Sequence, residues 1–412
     1  MHRPTELKSQ SPEGVERTER GALQTGPLVI VGGCGHVGLP LGLAFARKGY
    51  HVDLVDANAE LVALVNGGRM PFHEDGAPDL LAGVIQNGLL KATTSTAVLE
   101  DAAAIIVTIG TPVDEYLDPA VREFDCVLER LLAQVRPGQL VILRSTVFPG
   151  MTDRLARQLE QSGKTFDLAY CPERIVQGKS LAELEKLPQL IGATTPQAAQ
   201  RAAALFRLIG PKIIFLKPIE AELAKLFCNA WRYINFAISN QFYVMAEHYG
   251  ADFQRIHHAL RDGYPRMESF ARAGFTAGPC LLKDTMQLGA FNHGSFVLGQ
   301  AAMMINEGLP HLLVQSLKRA YPLIDMTVGI LGMAFKPNSD DPRASLSYKL
   351  RKVLSLECRH VLCTDPYVAD PDFVPLATVL EQADLLVVGT PHDDYRGLSF
   401  RQPVIDITGT IA

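Results

Sequence analysis

Gly33-x-Gly35-x-x-Gly38 constrains this chain more than any other feature, because of what stands on either side of it. Leu28-Val29-Ile30-Val31 is a continuous apolar run, as expected of a parallel strand covered on both faces. A helical pattern follows through Leu39–Lys48. In that setting the first glycine permits a tight turn, the second lets a pyrophosphate approach the backbone, and the third lets helix pack on strand. A second strand, His51–Val55, ends at Asp56, where an acid accepts hydrogen bonds from ribose hydroxyls and repels a 2′-phosphate. Strand, turn, helix and strand make one βαβ unit. Gly33, Gly35, His36, Val37, Gly38 and Asp56 are therefore candidate contacts to NAD rather than NADP.

Further strands are expected at Ala104–Ile109, Leu140–Leu143, Phe166–Tyr170 and Leu190–Ile191, with helical segments between them, which argues a doubly wound sheet. The texture changes after Pro218. From Ile219 to about Tyr249 there is no Gly or Pro, and Leu223, Leu226, Phe227, Ala230, Ile234, Ala237, Ile238, Phe242 and Met245 recur at helical spacing. This predicts one long buried helix. Helical pattern continues to about Lys318, after which Val328–Leu331, a helix from about Ala344, His360–Cys363, Asp384–Val388 and Val404–Ile407 restore the strand–helix rhythm. A length of 412 residues suits two or three domains at roughly 100–200 residues each. The expected fold is α/β: two Rossmann-like doubly wound domains joined by a long central helix. Their bounds are 27–216, 217–318 for the helical part, and 319–412. The polar residues 1–26 read as a disordered tail.

Charge and composition exclude some partners. A net charge of −5 provides no cationic field for a phosphate backbone, so nucleic acid is not an expected partner. No run approaches the ~18 apolar residues of a membrane span, and Met1-His2-Arg3-Pro4-Thr5 leads into polar sequence, so a cytoplasmic protein away from membranes is expected. The 7 cysteines, an odd and scattered number, suit a reducing compartment.

Cys280 follows Gly278-Pro279 and precedes a helical pattern, where free N–H groups favour thiolate. Asp284 at i+4 falls one turn away on the same face. A thiol with an acid nearby suits a nucleophile whose protons move through a water. Lys225 and Asn229 are also spaced i, i+4, on the long helix; buried there, both heads need partners, and the lysine offers positive charge to a developing alkoxide. Glu173, in Tyr170-Cys171-Pro172-Glu173-Arg174, stands just after a strand, where α/β sites collect, and is a candidate base. Cys358-x-His360-x-x-Cys363 resembles half a metal site, but without a second cluster it reads as a strand and its flank, and no metal is expected. His257-His258 reads as surface or packing.

These residues together resemble the UDP-glucose/GDP-mannose dehydrogenase family over about residues 27–412. The resemblance rests on Gly33–Gly38 with Asp56, Pro71-Phe72-x-Glu74-x-Gly76, Thr111-Pro112, Ser145-Thr146-Val147-x-Pro149-Gly150, Pro172-Glu173-Arg174, Lys225 with Asn229, Gly278-x-Cys280 with Lys283-Asp284, and Phe335-Lys336-Pro337-Asn338-x-Asp340-Asp341-x-Arg343. It implies an N-terminal domain that holds NAD, a long helix at the core of a homodimer, and a C-terminal domain that grips the nucleotide of a UDP-sugar. By the same resemblance Cys280 is the nucleophile, Lys225 and Asn229 with Asp284 stabilise oxyanions and position water, and Glu173 assists thioester hydrolysis. Thr111, Ser145, Thr146, Lys283 and Arg343 fall where the family contacts NAD. Lys336, Lys225 and Asn229 fall where it contacts substrate, and Arg266 where an arginine is lent across the dimer. Some members carry a second acid four residues after the Pro-Glu glutamate; Gln177 stands there instead and cannot be a base, which leaves that duty to Glu173.

The implied reaction oxidises the C6 hydroxyl of a UDP-sugar to a carboxylate with two NAD and one water. Pro-Glu-Arg is similar to the branch acting on UDP-N-acetylhexosamines, UDP-N-acetylmannosamine especially, while Cys280-x-x-Lys283-Asp284-Thr285 is also found in UDP-glucose enzymes. Two other classes stay open at this point. A two-electron hydroxyacid dehydrogenase shares the NAD fold, long helix and Lys/Asn pair but needs neither the thiol nor a second α/β domain. A catalytically silent NAD-binding relative would keep the fold without a use for Cys280.

Overall fold

A computed structural model of the chain describes residues 26–111, 120–275 and 278–411. Residues 1–25 of the expected tail, Pro112 of the Thr111-Pro112 motif and Ala277 beside Gly278 lie outside the described residues. The chain divides into two compact units, the first made of residues up to Thr111 with Val121–Leu223 and the second running from Ala224 onward.

The first unit is built on one sheet, in the order β3-β2-β1-β4-β5-β6-β7-β8. Its strands are β1 Leu28–Val31, β2 Val52–Val55, β3 Leu90–Thr93, β4 Ala104–Val107, β5 Leu140–Leu143, β6 Asp167–Tyr170, β7 Gln189–Ala193 and β8 Ile213–Leu216. All pairings are parallel except β6 with β7. The apolar runs are continuous because both faces are covered. Leu28 and Ile30 of β1 pack into one apolar cluster with Ala104, Ile106, Leu140 and Ile142, while Val29 and Val31 pack into another with Ile105, Val107, Val141 and Leu143. Period-two alternation thus feeds two helical layers from one sheet. Order reverses between β1 and β4, and ligands in such sheets bind outside the carboxyl ends of the strands at that point.

The second unit carries a smaller parallel sheet, β10-β9-β11-β12, from β9 Thr327–Leu331, β10 His360–Thr364, β11 Leu385–Val388 and β12 Val404–Ile405. It repeats the first unit's opening move. Gly32 and Gly332 both have positive φ, 76° and 90°, directly after the first strand of each sheet. Gly32 donates to Val55 O at 2.8 Å and Gly332 to Thr364 O at 2.9 Å, each at the end of the neighbouring strand.

The long helix, Pro218–His248, matches the expected span, and the division between the units falls within it. Its burial corrects the sequence reading. Leu226, Ala230 and Ala237 are buried, but Phe227 (54% exposed), Trp231 (61%), Met245 (51%), Ile238 and Phe242 are not. The helix is apolar on more than one side, and one of those sides faces out of the single chain. No helix among the described residues is long and apolar enough to cross a membrane, and all 7 cysteines are free.

Candidate active site

In the first unit the expected cofactor residues follow the carboxyl ends of β1, β2, β4 and β5. A Cβ on Gly33 would lie 2.7 Å from Ile30 O and from Leu54 Cβ, and one on Gly38 would lie 2.5 Å from Gly32 O, so both positions must be glycine for the turn to close. A Cβ on Gly35 would meet only Gly32 O, at 3.6 Å, which leaves that side open. The helix Gly38–Arg47, with Val37 at its N-cap, has no acidic residue in its first turn and no side-chain cap. Leu39 N–H donates to Gly35 O at 3.0 Å and Pro40 has no N–H, so the N–H groups of Val37 and Gly38, at the very start, are the ones left for an anion. Asp56 braces the same turn: Cys34 N–H donates to its Oδ2 at 3.1 Å and Asn58 N–H to its Oδ1 at 3.0 Å. Each carboxylate oxygen keeps a further lone pair for a ribose hydroxyl. Sequence reasoning missed Gly32, and also Thr108, whose hydroxyl donates to Val31 O at 2.8 Å and to Gly32 O at 3.0 Å. Open space at Gly35, an uncapped helix start and an acid after β2 fit NAD.

His36 packs on Phe72, with ring centroids 4.0 Å apart, and lies 2.9 Å from Gln177 Nε2. Ser145 is buried with its hydroxyl 3.3 Å from Val107 O, Thr146 beside it is half-buried, and Thr111 stands at the edge of a described segment. Glu74 explains its own motif, since Gly178 N–H (2.9 Å), Ser180 N–H (2.5 Å) and the Ser180 hydroxyl (2.8 Å) all donate to its carboxylate.

Glu173 differs from the expected free carboxylate. Its Oε2 takes both Nε (2.8 Å) and Nη2 of Arg144, whose side chain is wholly buried. Its Oε1 accepts from the N–H groups of Arg174 (2.7 Å) and Ile175 (3.1 Å). Arg144 further donates to Cys171 O at 3.0 Å and lies over the Phe206 ring at 4.8 Å. Glu173 is thus the counter-ion of a buried guanidinium, and it could accept a proton only by giving up that pair. Arg144, immediately before Ser145, was missed because an arginine at a strand end reads as a surface residue.

In the second unit, two elements far apart in sequence meet. Cys280 is the N-cap of the helix Leu281–Phe291, and Asp284 N–H donates to its carbonyl at 2.9 Å, which sets the acid one turn on. Asp284 is fully buried. Asn229 Nδ2, from the long helix, donates to Asp284 Oδ2 at 2.5 Å, and Lys283 Nζ lies 2.6 Å from Asp284 Oδ1. Lys225, one turn before Asn229, is half-buried and makes no hydrogen bond or ion pair among the described residues. The Cys280 thiol is raised above its ordinary range, first by the protein crowded round it and then by the Asp284 carboxylate; Lys283, Lys225 and Arg343 act in the opposite direction. The helix start alone therefore does not deliver the expected thiolate.

The turn that carries Cys280 is fixed by a distant loop. Gly278 has φ 106°, and a Cβ there would lie 2.5 Å from the Phe335 ring, so the Phe335–Arg343 motif and the nucleophile's turn interlock through one glycine. Lys336 Nζ lies 6.0 Å from the centroid of the Phe335 ring. Arg343 is held by Asp341 through Nε (2.9 and 3.1 Å) and Nη2 (2.6 Å). Arg266 is exposed, its guanidinium over the Tyr264 ring at 5.6 Å. Cys358 is buried with its sulfur 3.0 Å from Leu354 O, and no group of three metal-ligating side chains occurs among the described residues. His257 is buried, its Nε2 within 3.2 Å of Phe270 O.

Three profiles of one family match in order along the chain: its NAD binding domain at residues 28–209, its central domain at 219–307 and its UDP binding domain at 329–410. The chain belongs to the UDP-glucose/GDP-mannose dehydrogenase family. It is an NAD-dependent nucleotide-sugar dehydrogenase. A UDP-N-acetyl-D-mannosamine dehydrogenase of Pyrococcus horikoshii is 30% identical over 390 residues, 90% of this chain and 91% of that one. One from Salmonella typhimurium is 27% identical over 401 residues, covering 90% and 94%. Among solved structures, the UDP-D-ManNAc dehydrogenase of Pyrococcus horikoshii superposes with a TM-score of 0.86 at 29% identity, covering 94% of this chain and 96% of that one. A UDP-glucose dehydrogenase of Pyrobaculum islandicum gives 0.85 at 26%, covering 97% and 96%.

Proposed function

We propose that this dehydrogenase oxidises the C6 hydroxyl of a UDP-N-acetylhexosamine, UDP-N-acetylmannosamine first among them, to the carboxylate through a covalent intermediate on Cys280. NAD, when bound, supplies the acceptor for each of the two electron pairs that leave carbon 6. The chain's own part is to hold the half-oxidised sugar. The Cys280 sulfur adds to the aldehyde carbon to give a thiohemiacetal, and after the second oxidation water adds to the thioester carbon, the C–S bond breaks and the thiol is restored. Lys225, with no partner of its own among the described residues, is the cation for the oxyanions.

The observation that carries this reading is the buried Asn229–Asp284 pair one turn from the thiol. A carboxylate there manages the proton of the thiol and of the attacking water, and Asn229, by taking Oδ2, leaves that work to Oδ1, which has the Lys283 ammonium beside it but accepts no hydrogen bond among the described residues. We assign that duty to Asp284 rather than Glu173, because both oxygens of Glu173 accept hydrogen bonds and one of them pairs with the buried Arg144. We assign Lys336 and Arg266 to the substrate, and Thr111, Ser145, Thr146, Lys283 and Arg343 to the cofactor. The choice of sugar rests on the relatives named for UDP-N-acetyl-D-mannosamine.

The exposed stripe Phe227, Trp231, Ile238, Phe242 and Met245 is the side of the long helix that a second copy covers in a homodimer. Trp231→Glu should then sediment as a monomer where the parent chain is a dimer. A cytoplasmic enzyme suits its free cysteines. The deciving assay for substrate is NADH release across UDP-N-acetylmannosamine, UDP-N-acetylglucosamine, UDP-glucose and GDP-mannose. Highest kcat/KM with the first supports the assignment, and highest with UDP-glucose overturns the sugar while leaving the chemistry.

A further inference from the structure

We propose that His392 is a positioning residue for the nucleotide-sugar loop Phe335–Arg343, holding it through the backbone of Asn338. The proposal rests on the reading of Lys336, in that loop, as a ligand of the nucleotide sugar.

His392 follows β11 and is fully buried. Asn338 N–H lies 2.9 Å from its Nδ1, so that nitrogen is the acceptor and the ring proton sits on Nε2, 3.0 Å from Asp365 Oδ2. Both side chains of the His392–Asp365 pair are wholly buried. Every other partner of Asp365 among the described residues is a backbone N–H: Met333 (2.6 Å) and Ala334 (3.0 Å) on one oxygen, Tyr367 (2.8 Å) and Val368 (2.9 Å) on the other. Burial pushes this carboxyl up, but His392 first, and then the backbone N–H groups of Met333 and Val368, outweigh it and hold it below its ordinary range.

The network converges on one loop. Asn338 has φ 52°, a left-handed conformation that costs a side-chain-bearing residue free energy and persists only where its surroundings impose it. Besides the bond to His392, Asn338 donates from Nδ2 to Asp393 Oδ2 at 2.6 Å and accepts from Asp393 N–H at 3.0 Å. Thr390 Oγ1 donates to Ala334 O at 2.5 Å. The segment Thr390–Asp393 thus grips residues on both sides of Lys336.

Asp365 stands where Asp56 stands in the first unit, directly after the strand that neighbours the first one. There the resemblance ends, because Asp365 is saturated by four N–H groups and a histidine and has nothing left for a ribose. The second unit has turned its acid inward, from ligand to loop, and His392 completes that use. A buried polar pair is costly unless fully satisfied, and its best-attested gain is registration of the parts it joins.

The test measures UDP binding by titration calorimetry on the full chain, with NAD binding on the same preparations. His392→Ala should weaken UDP about tenfold, the effect of leaving one buried hydrogen bond unmade. NAD affinity should be unchanged, and the KM of the nucleotide sugar should rise with little change in kcat. His392→Gln, which can still accept from Asn338 and donate to Asp365, should recover most of the loss. Asp393→Ala, at an exposed site that folding tolerates, should weaken UDP by a smaller factor. Lys336→Ala separates the two readings: if it binds UDP as the parent does, the assignment of Lys336 fails. If Lys336→Ala binds UDP weakly, adding His392→Ala should cost little more. Full additivity in the double variant, or unchanged UDP affinity in folded His392→Ala and Asp393→Ala, overturns the proposal.

Discussion

Asn229 Nδ2 donates to Asp284 Oδ2 across 2.5 Å, joining the long helix to the helix that begins after Cys280 although the residues are 55 positions apart. The contact does two things at once. It gives one oxygen of a fully buried carboxylate its hydrogen bond, and it ties the turn that presents the thiol to the helix that presents Lys225. The pair is the polar joint between the two helices, beside the apolar packing of Leu281 with Tyr233, Ile234 and Ala237.

Asn229→Ala should therefore be felt twice. Asp284 would lose a donor in a buried site, at a cost of about 1–3 kcal/mol. With water and oxyanion left unpositioned, kcat should fall about 100-fold or more. Calorimetric melting and steady-state rates on one preparation check this, and a folded variant with parental kcat would remove the pair from the mechanism.

The raised Cys280 thiol makes a signed prediction. Asp284 is a negative neighbour that disfavours thiolate, so Asp284→Asn should move the pH profile of alkylation by iodoacetamide to lower pH. Lys225 is a positive neighbour that favours thiolate, so Lys225→Met should move it to higher pH. Coincident profiles for the two variants would show that neither charge reaches the sulfur.

The glycine turn separates folding from binding. Gly38→Ala would drive its Cβ into Gly32 O at 2.5 Å and should lower the melting temperature. Gly35→Ala meets only an oxygen at 3.6 Å and should leave melting nearly unchanged while weakening NAD, because the methyl intrudes where a pyrophosphate approaches. Equal NAD affinity in Gly35→Ala and the parent would move the cofactor away from this turn.

Glu173→Gln should act mainly on stability. Leaving Arg144 buried without its counter-ion costs about 3–5 kcal/mol, visible as a lower melting temperature. Arg144→Met in the same chain should restore part of the loss. An unchanged melting curve with a collapsed rate would instead return the base role to Glu173.

Much of the fold was legible because β1, β4 and β5 are buried on both faces and so write unbroken apolar runs, and β2 breaks its run only at Asp53. The strands that escaped were the two edges. Leu90-Lys91-Ala92-Thr93 (β3) alternates with an exposed lysine, and Ile213–Leu216 (β8) is only half covered, so neither has the two-sided burial that makes a strand conspicuous. The long helix reads as buried because apolar residues recur on more than one of its sides, and spacing alone does not say which side a neighbour covers. At the site, i, i+4 spacing was enough to place Lys225 with Asn229 and Cys280 with Asp284. Spacing could not pair the two sets, nor show Phe335 against Gly278, because both contacts depend on how distant segments pack. The partner of Glu173 is hidden from spacing for the same reason: Arg144 lies 29 residues away, just past the neighbouring strand.

The central claim is that a sulfur holds the sugar between its two oxidations. The most direct measurement is the mass of the intact chain quenched in acid during turnover with UDP-N-acetylmannosamine and NAD, with Cys280→Ala alongside. The account predicts a UDP-sugar adduct on the parent chain, no adduct on the variant, and no uronate from it. Full uronate production by Cys280→Ala would contradict the account.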